Sequence, residues 1–169
     1  MKKREINKEK QKLKKTSDFK MIRFARYICI AFVLIFLFYV SLLVSTVQGD
    51  FAKLFETNLF VTVGFIISAL NIFIWYLLKL VNSNLEDYKN IDSCKVQLIL
   101  VSVTQIILFN YACAALTIFS LIKYFKWNQR ISCAELKKQN QTGVLIALGI
   151  GFAVMVVLAY TIVIKAMTI

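Results

Sequence analysis

The sequence predicts an all-helical integral membrane protein, a bundle of four transmembrane helices without a soluble domain. Four stretches of the chain contain no Asp, Glu, Lys or Arg. Each supplies the roughly 20 apolar residues that a helix needs to cross about 30 Å of hydrocarbon. The composition agrees, with 59% hydrophobic residues and a mean hydropathy of +0.70. The polar segments are too short to bury a core of their own, so the sequence predicts a class of molecule but contains no motif that identifies its role.

The first element is a basic tail, residues 1–20, ahead of the transmembrane domain, residues 21–169. The tail carries nine Lys or Arg against three acids. It can form a solvated helix or stay disordered, and the sequence does not decide between the two. A signal peptide also begins with positive charge, but its apolar region is typically about 7–15 residues long. The first apolar stretch here is longer, so we expect it to be retained as the first span.

The transmembrane domain is expected to contain four continuous helical spans. The predicted spans are residues 28–47, 59–78, 96–122 and 143–164. The chain contains no proline, and proline is the commonest cause of a sharp helix kink. We therefore expect unbroken spans rather than the broken half-helices of many secondary transporters, although glycine can also break a helix.

The distribution of Lys and Arg predicts a multi-pass protein of the cell membrane with both termini in the cytoplasm. With four crossings, the cytoplasmic side holds fifteen of the 21 basic residues and the outside holds six. Five of those six lie in the connection at residues 123–142, which conflicts with the rule that basic residues stay inside. Either this connection contacts anionic headgroups or a partner, or the second half of the chain is placed differently.

Polar and small residues form a face on each predicted span. The candidate intramembrane polar face comprises Asn71, Ser102, Gln105, Asn110 and Thr117. The candidate helix-packing residues are Gly64, Ser68, Gly143, Ala147 and Gly151. Helices in lipid associate through close backbone approach and hydrogen bonds, which such faces provide. Packing is therefore the favoured interpretation, and the alternative is a solvated path or small-ligand pocket.

The sequence contains few of the groups on which catalysis depends. It has no histidine, and no charged side chain lies at mid-membrane depth in any predicted span, which argues against a proton-coupled pump within one chain. The four cysteines, at positions 29, 94, 113 and 133, contain no Cys-x-x-Cys pair and are interpreted as small hydrophobic residues. We predict no enzymatic activity, no cofactor and no bound metal.

The basic segments give the one positive functional indication, because cations beside a membrane attract anionic lipid. The expected lipid- or partner-binding surface comprises Lys14, Lys15, Lys20, Arg23, Arg26, Lys123, Lys126, Arg130, Lys137 and Lys138. Nucleic acid is not an expected partner, because no aromatic residues are interleaved with base-reading side chains.

The favoured function is a small non-enzymatic membrane protein that binds a membrane-protein partner or further copies of itself. It would be an accessory subunit of a larger complex, or an immunity-type protein that shields a membrane target. The alternative is an oligomeric channel or facilitator for a small solute or ion, lined by the polar residues of spans two and three.

Overall fold

The computed structural model describes residues 19–46, 58–87 and 89–125, and the single residues 54, 145, 149 and 151. Within these residues the chain forms four α-helices and no strand, which confirms the predicted all-helical class. The helices are α1 (Lys20–Thr46), α2 (Leu59–Glu86), α3 (Ile91–Ile107) and α4 (Tyr111–Tyr124). The tail before residue 19, residues 126–144 and almost all of the predicted fourth span lie outside the described residues.

The two long helices, α1 and α2, pack side by side in opposite directions. They contain 27 and 28 residues, so each is about 40 Å long at 1.5 Å per residue. Both are long and apolar enough to cross a membrane. Asn58 begins α2, because its side chain accepts hydrogen bonds from the backbone N–H groups of Phe60 and Val61.

The predicted third span, residues 96–122, is not one continuous helix. The helix ends at Ile107 and a new one begins at Tyr111. The hydroxyls of Ser102 and Thr117, 15 positions apart in the chain, lie 2.8 Å from each other. In one straight helix these positions would be about 22 Å apart. The prediction of an unbroken helix is therefore wrong, and α3 and α4 form an antiparallel hairpin.

The hairpin turn occupies residues 108–110 and begins as a Schellman C-cap. The Asn110 N–H donates to the Gln105 carbonyl at 2.9 Å, and the Phe109 N–H donates to the Ile106 carbonyl at 3.1 Å. These are the two hydrogen bonds of that motif. Phe109 takes the left-handed position, with φ of 58°, where glycine is the usual residue. The last carbonyls of α3 are thus satisfied without glycine.

The same turn supplies the N-cap of the next helix. Asn110 precedes α4, and its Oδ1 accepts a hydrogen bond from the Cys113 backbone N–H at 3.4 Å. Asn is among the preferred N-cap residues for this reason. Asn110 therefore closes one helix and starts another, so the chain reverses direction without proline. The absence of proline did not guarantee a continuous span.

Helix α4 lies against the first part of α1. The rings of Phe19 and Tyr124 meet edge to face with centroids 4.9 Å apart. Ten residues further along α1, the sulfurs of Cys29 and Cys113 are 3.6 Å apart. The start of α1 therefore meets the end of α4, and the two helices run in opposite directions.

Helix α3 lies against the last part of α2. Its start meets α2 where the Cys94 sulfur approaches the Val81 carbonyl at 4.0 Å, and its end meets α2 where Gln105 contacts Asn71. The hairpin therefore covers only one half of the α1–α2 pair. We call residues 19–30, 71–87 and 89–125 the hairpin half, and residues 31–46, 54 and 59–70 the two-helix half.

Candidate polar site at the hairpin turn

A side-chain hydrogen bond joins α2 to α3 close to the turn. The Nε2 of Gln105 donates to the Oδ1 of Asn71 at 3.1 Å. Asn71 is held in place by its own helix, because its Nδ2 donates to the Ile67 carbonyl at 3.1 Å. Both amides are fully buried. These two residues of the predicted polar face therefore meet each other between α2 and α3.

A second polar contact joins α3 to α4. The hydroxyls of Ser102 and Thr117 are 2.8 Å apart, and each also lies within hydrogen-bond distance of a carbonyl of its own helix. The sequence had placed both residues on one stripe of a single helix. They instead face each other from the two arms of the hairpin, because the turn at residues 108–110 reverses the second arm.

Three buried polar atoms in the residues around the turn have no hydrogen-bond partner among the residues that the structure describes. They are the Oγ of Ser68, the Oε1 of Gln105 and the Nδ2 of Asn110. A buried donor or acceptor without a partner costs about 1–3 kcal/mol. Each of the three atoms can hydrogen-bond a water molecule or a small neutral polar solute, and none of these groups carries a charge.

Asn110 has a different role from the one its sequence position suggested. The helical stripe placed it beside Gln105 and Thr117 on one face, but it lies in the turn and caps α4. The sequence did contain a sign of this role, since Asn is among the preferred N-cap residues.

The predicted helix-packing residues have unequal surroundings. A Cβ atom at Gly64 would collide with the Phe36 ring, so glycine allows the close approach of α1 and α2. Ser68 is buried in α2. At Gly151 a Cβ would meet the Leu70 side chain at an ordinary contact distance of 3.9 Å. Gly143 and Ala147 lie outside the described residues.

Part of the predicted basic surface is described, and it lies at the end of the hairpin half away from the turn. Lys20 and Lys123 are exposed there, and Arg23 and Arg26 are half-buried. The Arg26 guanidinium lies 5.5 Å from the centre of the Trp75 ring. The other predicted members, Lys14, Lys15, Lys126, Arg130, Lys137 and Lys138, lie outside the described residues.

The described residues hold no group of three or more His, Cys, Asp and Glu that could bind a metal ion. Cys29, Cys94 and Cys113 are free and buried, and Cys133 lies outside the described residues. The chemistry of the site is therefore hydrogen bonding by amides and hydroxyls. No family model, curated protein or solved structure matches this chain.

Proposed function

We propose that the chain is a non-enzymatic, multi-pass protein of the cell membrane that acts by binding another membrane protein, as an accessory or partner-binding subunit. One observation carries this proposal: two pairs of buried polar side chains, Asn71 with Gln105 and Ser102 with Thr117, bond between helices, while large apolar side chains cover the outside. Such a bundle is suited to lipid and to helix–helix contact rather than to chemistry.

The outer surface supports the membrane location. The most exposed large side chains include Phe60, Phe109 and Ile35, with 83%, 77% and 69% of their surface accessible. Soluble monomers rarely expose apolar patches larger than a few hundred Å². The buried residues, in contrast, include Asn71, Gln105 and several hydroxyls. This distribution is the one expected where lipid replaces water as the solvent.

The use of the polar groups supports a binding role over conduction. Gln105 donates to Asn71, and Ser102 contacts Thr117, so the predicted polar face is largely occupied by contacts between its own members. Each interhelical hydrogen bond of this kind stabilises a membrane bundle by only about 0.6 kcal/mol on average. Contacts of this strength are suited to helix packing. The channel or facilitator remains a second candidate because of the three polar atoms without a partner at Ser68, Gln105 and Asn110.

Reconstitution separates the two candidates. We expect liposomes that contain the purified protein to pass glycerol, potassium and chloride no faster than protein-free liposomes. A protein-dependent flux that Gln105→Leu abolishes would establish the facilitator and refute the subunit proposal.

Photo-crosslinking in native membranes tests for the partner directly. A photoreactive residue at the exposed position Phe38 is expected to give one discrete product with a second membrane protein, in fixed stoichiometry through purification. The same residue at Ile74, which is buried, is the matched control and should give no such product. Lipid adducts alone at Phe38 and at the neighbouring exposed positions would contradict the proposal.

A further inference from the structure

We propose that the α3–α4 hairpin enters and leaves the bilayer through the same face, and that the lysines and arginines gathered at that face bind anionic headgroups of the cytoplasmic leaflet. The proposal rests on the membrane location proposed above, and it departs from the four-crossing arrangement with both termini inside. Four features carry it: the depth of the turn, the length of the arms, the satisfaction of the turn's backbone, and the position of the charges.

The turn reaches about the middle of the bilayer. Gln105 lies beside Asn71, which precedes Leu78, the last residue of the predicted second span, by seven residues. This distance corresponds to about 10 Å along the helix. Phe109 is four residues beyond Gln105, about 6 Å further. The turn is then about 16 Å inside a hydrocarbon layer of about 30 Å.

Neither arm of the hairpin is long enough to cross. From Val96, the first residue after Lys95, to the turn, α3 offers about 20 Å, and the 14 residues of α4 offer about 21 Å. Lys95 and Lys123 bound the charge-free segment. They lie at the same end of the hairpin. Ser102 contacts Thr117, Lys95 is seven residues before Ser102, and Lys123 is six residues after Thr117, so the two lysines are at similar distances from this contact in antiparallel arms.

The turn itself is compatible with this depth. Non-helical backbone inside a membrane is tolerated where it is buried in protein, and Leu108 and Asn110 on either side of Phe109 are only 4% and 6% exposed. Here the Asn110 and Phe109 N–H groups bond to carbonyls of α3, and the Asn110 side chain satisfies the Cys113 N–H. The side chain exposed at the tip is the apolar ring of Phe109, which is suited to lipid tails.

All the cations among the described residues lie at the opposite end of the hairpin from the turn. They are Lys20, Arg23, Arg26, Lys79, Lys89, Lys95 and Lys123, against the three acids Glu86, Asp87 and Asp92. Basic residues near the cytoplasmic leaflet are attracted by its anionic lipids. The Trp75 ring lies 5.5 Å from the Arg26 guanidinium and 5.9 Å from the Lys79 ammonium, as expected of an aromatic residue at the interface.

The re-entrant arrangement also removes the conflict in the sequence's charge distribution. A chain that returns to its entry side at Lys123 keeps the five basic residues of positions 123–138 on the cytoplasmic side. Nineteen of the 21 Lys and Arg residues then lie inside, as the positive-inside rule expects. Only Lys53 and Lys165 lie outside, and the C-terminus is outside if the predicted fourth span crosses once.

Cysteine labelling of the full-length protein in oriented membrane vesicles tests the hairpin. The background is Cys133→Ser, in which Cys29, Cys94 and Cys113 are buried and serve as the unlabelled control. We expect Lys89→Cys and Lys123→Cys to react with an impermeant maleimide from the cytoplasmic side alone, and Phe109→Cys to react from neither side. Labelling of positions 89 and 123 from opposite sides would overturn the proposal. Release of the protein by alkaline carbonate would instead refute the membrane location itself, so the two failures are distinguishable.

Lipid selectivity tests the basic face. In nanodiscs with equal amounts of phosphatidylglycerol and phosphatidylcholine, spin-labelled phosphatidylglycerol should associate more strongly with the protein than spin-labelled phosphatidylcholine. Replacing both exposed residues Lys79 and Lys123 by Gln should lower this preference by up to roughly 25-fold, since each cation near an anionic surface changes partitioning roughly fivefold. The double Arg variant keeps the charge and should keep the preference. Equal association of both lipids, or a preference that the Gln variant retains, would refute the assignment.

Discussion

The hairpin half and the two-helix half bury their side chains in different ways. In the hairpin half, seventeen hydrophobic residues join one buried cluster. In the two-helix half, among the described residues, the buried cluster comprises Val40, Leu54 and Val61. Among the described residues, four helices enclose the first cluster, whereas α1, α2 and Leu54 form the second. Length makes α1 and α2 able to span a membrane, but the hairpin creates the core.

The polar residues follow the same division. In the hairpin half, Gln105 reaches across to another helix. In the two-helix half, Ser41 and Ser45 are exposed, and their hydroxyls bond to carbonyls of their own helix at 2.7 and 2.6 Å. A side chain without a facing helix satisfies its hydrogen bond locally. The interhelical bonds of the hairpin half therefore depend on the turn that brings α3 and α4 against their neighbours, and not only on the polar sequence.

The largest expected effect comes from truncating a core side chain in the hairpin half. Ile74→Ala should lower the free energy of unfolding by about 2–3 kcal/mol, because it leaves a cavity where the side chain is 1% exposed. Ile72→Ala is the matched control on the same helix, at a side chain that is 49% exposed, and should change stability by less than about 0.5 kcal/mol. Reversible unfolding in mixed detergent, followed by circular dichroism, measures both. Equal losses at the two positions would contradict the described core.

A smaller effect is expected from breaking the bond between α2 and α3. Asn71→Leu should cost about 1–2 kcal/mol, because the Gln105 amide loses its partner in a dry environment. Adding Gln105→Leu should restore part of the loss, since replacing both partners by apolar groups can be nearly neutral. The same unfolding experiment gives the coupling energy. Additive losses in the double variant would show that the two amides do not interact.

Much of the two-helix half could be predicted from the sequence. The charge-free runs that end near Thr46 and begin at Leu59 predict the two long helices, because length and hydropathy decide which segments can span lipid. Gly64 was also a candidate helix-packing residue because of its small size. These features depend on local composition, which the sequence shows directly.

The hairpin could not be predicted by the same means. Leu108 and Phe109 are as apolar as their neighbours, so hydropathy is continuous through a turn that depends on backbone hydrogen bonds. Three signals pointed to it: the length of the 96–122 run, the N-cap residue Asn110 within it, and the basic residues after it. The contact partners of the polar face could not be assigned either, because the turn sets which positions of α3 and α4 meet.

The smallest of these effects concerns the seam of the two-helix half. Gly64→Ala should cost about 1 kcal/mol, because a methyl group there meets the Phe36 ring, which must rotate away at the expense of packing. Gly149→Ala, where a Cβ would meet no atom of the described residues within 4 Å, controls for the higher helix propensity of alanine and should be neutral or stabilising. In a Phe36→Ala background the cost at position 64 should disappear, as unfolding in mixed detergent would measure. If Gly64→Ala costs the same in both backgrounds, α1 and α2 do not meet at this point, and the two-helix half has no close contact of its own to set against the core of the hairpin half.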